Sequence, residues 1–97
     1  PKGTELMPGQ IQNLTAVPVG PGKIKLRWKK DPGSILYGIE INQNPGMGGQ
    51  WDLRYKTRNV SFIVEQLNPG QLYGFRVAGT NGNDDGNPSD PAEQRSL

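Results

Sequence analysis

The sequence predicts an all-β protein, a seven-stranded antiparallel sandwich of two sheets. Three observations carry this. Apolar and polar residues alternate with period two in run after run, most strictly over Lys23, Ile24, Lys25, Leu26, Arg27, Trp28 and Lys29. No helix accommodates that pattern, because a period of 3.6 scatters its apolar side chains around the axis. Most of the 14 glycines and nine prolines fall between the runs, as turn punctuation does. Finally, the turn signal Asn68-Pro69-Gly70 precedes Tyr73, Phe75 and Val77, which alternate inward against Gly74 and Arg76. A tyrosine just past such a turn can send its ring into the core and its hydroxyl back to the upstream chain, as a sandwich corner requires.

The elements follow in order. Pro1 to Met7 lacks periodicity and reads as a linker, leaving residues 8–97 as one domain. Ile11 to Val19 alternates loosely, with Leu14 and Ala16 inward, and Pro18 makes it an edge strand. Gly20-Pro21-Gly22 is a turn, followed by the strict run with Ile24, Leu26 and Trp28 on one face. After a loop over Lys30 to Ser34, Tyr37, Ile39 and Ile41 alternate with Gly38 and Glu40. Beyond an Asn/Gly/Pro-rich connection, Trp51, Leu53 and Tyr55 alternate with Asp52 and Arg54. Val60, Phe62 and Val64 line one face of the fifth strand, with Ile63 the odd apolar residue on the other. The corner strand follows, then a polar loop over Gly79 to Asp90 and a weakly patterned last strand from Ala92 to Leu97. The expected core includes Leu26, Trp28, Tyr37, Ile39, Leu67, Tyr73, Phe75 and Val77.

Composition narrows function mainly by exclusion. With no cysteine there is neither a disulfide framework nor a thiolate metal site, and with no histidine the commonest general base and metal ligand are missing. Eleven basic against nine acidic residues, net +2, gives no bulk-charge case for nucleic acid. No apolar run approaches the ~20 residues of a membrane span, so no direct membrane insertion is expected. Asp84 and Asp85 are adjacent on a glycine-rich loop with nothing to hold them apart as an acid/base pair. No serine sits in a nucleophile turn with a base at hand. The expectation is a non-enzyme without cofactor or metal.

The ordered series Pro8, Leu14, Leu26-x-Trp28, Tyr37-x-Ile39, Trp51, Leu67-x-Pro69-Gly70-x-x-Tyr73-x-Phe75-Arg76-Val77, Asn81 and Pro88-Ser89 resembles a fibronectin type III domain over nearly the whole chain. The resemblance implies an immunoglobulin-like sandwich with strands A, B and E in one sheet and C′, C, F and G in the other. Trp28 would sit in the core on strand B, meeting Tyr73, the corner tyrosine of strand F. Gly79 departs from the alanine usual in the family and suggests a weakened or early end to strand F. Neither Arg-Gly-Asp nor a Trp-Ser-x-Trp-Ser box is present, which disfavours integrin binding by that route and cytokine-receptor binding.

Four constellations remain as candidate sites. Lys23, Lys25, Arg27 and Lys29 project from one outer face ~7 Å apart, a track for a polyanion such as a sulfated glycan or simply a solvated strand face. Glu65 is the one obvious neutralising neighbour, and a second cation row, Arg54, Lys56 and Arg58, falls on the other sheet. The loop Asn81 to Gly86 matches the first half of a calcium loop but has Ala92 at the twelfth position, where a glutamate is needed. It reads either as a mobile connection or as a contact surface, with Asn83, Asp84, Asp85 and Gly86 beside Lys30 and Arg58 at one end of the sandwich. Asn13 and Asn59 head glycosylation sequons. Trp51 reads as core or, less simply, as an exposed stacking platform.

The function expected is a monomeric protein–protein interaction or adhesion module of a larger extracellular or cell-surface glycoprotein, contacting its partner through the loops. The alternatives are a passive spacer, as in bacterial secreted enzymes, phage proteins or muscle giants, and a heparin- or glycan-binding module.

Overall fold

The structure, a computed structural model, describes residues 7–46 and 48–97. Of the expected linker only Met7 falls among them. Seven strands form among the described residues: β1 (Thr15–Gly20), β2 (Lys23–Arg27), β3 (Leu36–Asn42), β4 (Asp52–Thr57), β5 (Ser61–Val64), β6 (Leu72–Thr80) and β7 (Ala92–Arg95). Every pairing is antiparallel, and the strands make a three-stranded sheet, β1-β2-β5, and a four-stranded sheet, β4-β3-β6-β7. Period-two patterning makes this two-layer arrangement favourable, because each sheet buries only one face.

The buried faces carry Ile24 and Leu26 of β2, Val64 of β5, Tyr37, Ile39 and Ile41 of β3, and Tyr73, Phe75 and Val77 of β6. Leu67, Leu14 and Ala16 are half-buried against this cluster. Ile11 joins it from outside any strand, which alternation did not reveal. The first strand starts at Thr15 rather than Ile11 because Asn13 turns into the left-handed region, at φ 61°. Asparagine tolerates that conformation better than most residues. β1 lies at a sheet edge, as Pro18 requires, since proline has no N–H for a second neighbour.

Trp28 (5% exposed) and Tyr73 (3%) are both core residues, but they do not meet. Trp28 follows β2 and packs edge-on against Tyr37, ring centroids 5.6 Å apart. Tyr37 pairs with Gly79, at the opposite end of β6 from Tyr73, roughly 20 Å along the strand. The two rings therefore anchor opposite ends of one core. At the Tyr73 end the corner is closed as expected: the Asn68 N–H donates to the Tyr73 hydroxyl at 2.8 Å.

Two strands depart from simple alternation. A bulge on β4 leaves Ile39 opposite Tyr55 but Glu40 opposite Leu53, with Arg54 unmatched. The extra residue turns Leu53 to the outer face, where it is 55% exposed, while Tyr55 stays inward and stacks on Phe62 at 4.9 Å. β6 does not end early at Gly79: it runs on to Thr80. A Cβ at Gly79 would collide with the Ser34 side chain, so the glycine permits close approach of the β2–β3 loop rather than weakening the strand.

Candidate interaction surfaces

Topology gathers the β2–β3 loop, the β4–β5 turn and the β6–β7 loop at one end, here the upper end, so Lys30, Arg58 and Asn83 to Gly86 do lie at the same end. No ion pair links Asp84 or Asp85 to Lys30 or Arg58; the ion pairs among the described residues are Lys23–Glu65 at 3.8 Å and Arg76–Glu40. Lys30 instead lies beside Gln10, Gln12 and Asp31. Asp85 lies over the outer face of the four-stranded sheet, at the rim of a groove of about 260 Å³ that also holds Leu36, Gly38, Leu53 and Lys56.

The β6–β7 loop is internally bonded. Asn81 Oδ1 accepts the N–H groups of Asn83 (2.8 Å) and Asp84 (2.7 Å), and the Asp84 carbonyl accepts from the Thr80 hydroxyl (3.0 Å). The Asn81 side-chain oxygen is thus engaged by two donors, which removes the first ligand of the calcium-loop reading. Asn83, Asp84 and Asp85 stay exposed, whereas Gly86 is half-buried. A Cβ there would lie 2.7 Å from the Gly9 carbonyl oxygen and 3.0 Å from that of Pro8. Gly86 is a packing residue, not part of the open loop tip.

The chain before β1 straps this end. The Gly9 N–H donates to Asp31 Oδ2 at 3.1 Å, and the Gln10 side-chain amide donates to the Pro88 carbonyl at 3.2 Å. A Cβ at Gly33 would run into the Met7 carbonyl. Asp31 also takes the Ser34 hydroxyl, and its own N–H donates to the Tyr37 hydroxyl at 3.0 Å. The Pro88-Ser89 pair of the sequence series acts in the same region. The Ser89 hydroxyl accepts the Val77 N–H at 3.0 Å, so a buried serine extends the edge of β6 before β7 begins.

Trp51 is not in the core. It lies on the outer face of the four-stranded sheet, its ring edge over Gly74, where a Cβ would sit 3.2 Å from it. The Arg76 guanidinium stacks on the ring at 4.6 Å and also bonds Glu40. Period two placed Trp51 inward, but the β4 bulge breaks that phase and the absent Gly74 side chain leaves a seat for the indole. Arg76 already occupies a face of the ring that a stacking ligand would need.

On the three-stranded sheet, Lys23, Arg27 and Lys29 are exposed and Lys25 is half-buried, with Lys23 paired to Glu65. Register places Lys25 between Val17 and Ile63, and Arg27 between Thr15 and Ser61. The sequon residues Asn13 and Asn59 are both exposed, before β1 and in the β4–β5 turn.

A two-sheet sandwich with a tyrosine corner and no helix among the described residues defines a module of immunoglobulin-like architecture. The fibronectin type III domain profile matches residues 9–95, and the chain belongs to that family. Among solved structures it is similar to the crystal structure of FN3tt, at 18% identity and TM-score 0.80, covering 93% of this chain and 95% of that one. It is also similar to part of the twitchin kinase region from C. elegans, at 27% identity and TM-score 0.80, covering 94% of this chain and 17% of that one. The rat CD45 extracellular region, domains d3–d4, matches at 21% identity and TM-score 0.76, over 95% of this chain and 51% of that one. The fold thus recurs as one module of multidomain proteins, including the extracellular region of CD45 and the kinase region of twitchin. Comparison with curated proteins found no match.

Proposed function

We propose that the chain is a non-catalytic interaction and spacing module of a larger extracellular or cell-surface protein. One observation carries the reading: the chain passes through the module from end to end. Met7 lies against Gly33 at the upper end, while the Leu97 carbonyl accepts the Gly22 N–H (3.2 Å) at the lower end. Copies or neighbours joined at such termini extend in line, and the strap of residues 7–10 restrains the joint. The exposed tip Asn83, Asp84 and Asp85, with Lys30 and Arg58 at the same end, supplies polar side chains on a rigid frame for a protein partner. Exposed sequons at Asn13 and Asn59 support a glycosylated surface location.

The test is small-angle scattering from a tandem of two copies. In-line spacing gives a maximum dimension close to twice that of the single module, and a tandem that folds back to a compact particle overturns the reading. A sulfated glycan along Lys23, Lys25, Arg27 and Lys29 is the second reading, supported by the cation row itself.

A further inference from the structure

The outer face of the three-stranded sheet is not simply cationic. Val17 is 53% exposed, Val19 49% and Ile63 45%, and all three belong to the strands that flank β2. The register makes the arrangement specific: Val17, Lys25 and Ile63 form one row straight across the sheet. The next row is Thr15, Arg27 and Ser61, and on the other side Lys23 meets Glu65. Lys25 and Arg27 form no ion pair among the described residues. The rows thus set two exposed β-branched apolar side chains on either side of Lys25.

From this we infer that the face docks an acidic polypeptide surface whose apolar side chains seat on Val17 and Ile63 while its carboxylates meet Lys25 and Arg27. Charge complementarity selects the sign of the partner. The apolar row selects its class. A sulfated glycan draws on cations alone, and its dense hydroxyl and sulfate groups lose water against Val17 and Ile63 without a partner there. A polypeptide surface that carries acidic and apolar side chains on the same face satisfies both; in an extended segment these are residues two apart, at the ~7 Å interval that separates Lys25 from Arg27. The inference deepens the interaction reading above and needs only that the module has a partner; it does not depend on the loop tip or on in-line spacing.

The experiment compares three defined probes by titration at low salt: a Glu-Ser-Val-Ser repeat octapeptide, which in extended form carries its glutamates and valines on one face, the same peptide with serine for valine, and a heparin octasaccharide. The expected result is that the valine-bearing peptide binds about tenfold more tightly than its serine counterpart. Val17→Thr plus Ile63→Thr, which keeps the β-branched shape, removes that advantage and leaves binding of the serine counterpart unchanged. Lys25→Glu plus Arg27→Glu abolishes both. Heparin binding that exceeds that of the valine-bearing peptide and is indifferent to the threonine pair overturns the inference in favour of a glycan track. No binding of any probe overturns it in favour of a solvated face. Melting curves of each variant verify folding, and the scattering test of in-line spacing is unaffected by either outcome.

Discussion

Trp28 and Gly79 show how much individual side chains, or their absence, hold this end of the molecule. Trp28 fills the upper core against Tyr37. Replacing it by alanine removes a buried aromatic and leaves a cavity, and is expected to cost about 3–5 kcal/mol in denaturant unfolding. Gly79 sits where the β2–β3 loop presses on β6. Gly79→Ala is expected to destabilise by about 1–3 kcal/mol through overpacking against Ser34, with part of the loss recovered by Ser34→Gly. A family-typical alanine that stabilised the chain would contradict the collision. Both residues stand out in the sequence, but only one was legible there. Trp28 is marked by strict alternation. Gly79 looked like a weak strand end because the contact that requires a glycine comes from a residue far away in the chain.

At the scale of elements, β4 is the instructive case. Alternation put Trp51, Leu53 and Tyr55 on one face, but the bulge opposite Ile39 and Glu40 changes the phase between Leu53 and Tyr55. Leu53→Lys is therefore expected to change stability by no more than about 0.5 kcal/mol, measured as a shift in urea midpoint. An inward Leu53 would make the same change cost several kcal/mol. The β6–β7 loop divides in a similar way. Serine at Asn83, Asp84 and Asp85 together is expected to leave the melting temperature unchanged, whereas Gly86→Ala lowers it, because only Gly86 lies beneath Pro8 and Gly9. Alternation along β2, β3 and β6 was sufficient to place their core residues, since each strand runs in unbroken phase. It could not report a one-residue insertion, which is a property of the pairing between strands and not of either strand alone.

Over the whole molecule, one core joins the two sheets, with aromatic anchors at each end and a corner hydrogen bond at Tyr73. Unfolding is expected to be two-state, with tryptophan fluorescence and far-ultraviolet circular dichroism giving coincident denaturation curves. Trp51 on one sheet and Trp28 beside the other report together, so separated transitions would show that the sheets come apart independently.

By itself the sequence determined the fold class, the succession of strands along the chain and most of the core, because period-two burial and turn chemistry are local and repeat along the chain. It also identified Lys23, Lys25, Arg27 and Lys29 as a row, since residues two apart share a strand face. Only the tertiary structure decided what lies beside that row, what covers Gly86, and which way Leu53 and Trp51 point. Each of these depends on register and on contacts between residues distant in the chain, which no local pattern encodes.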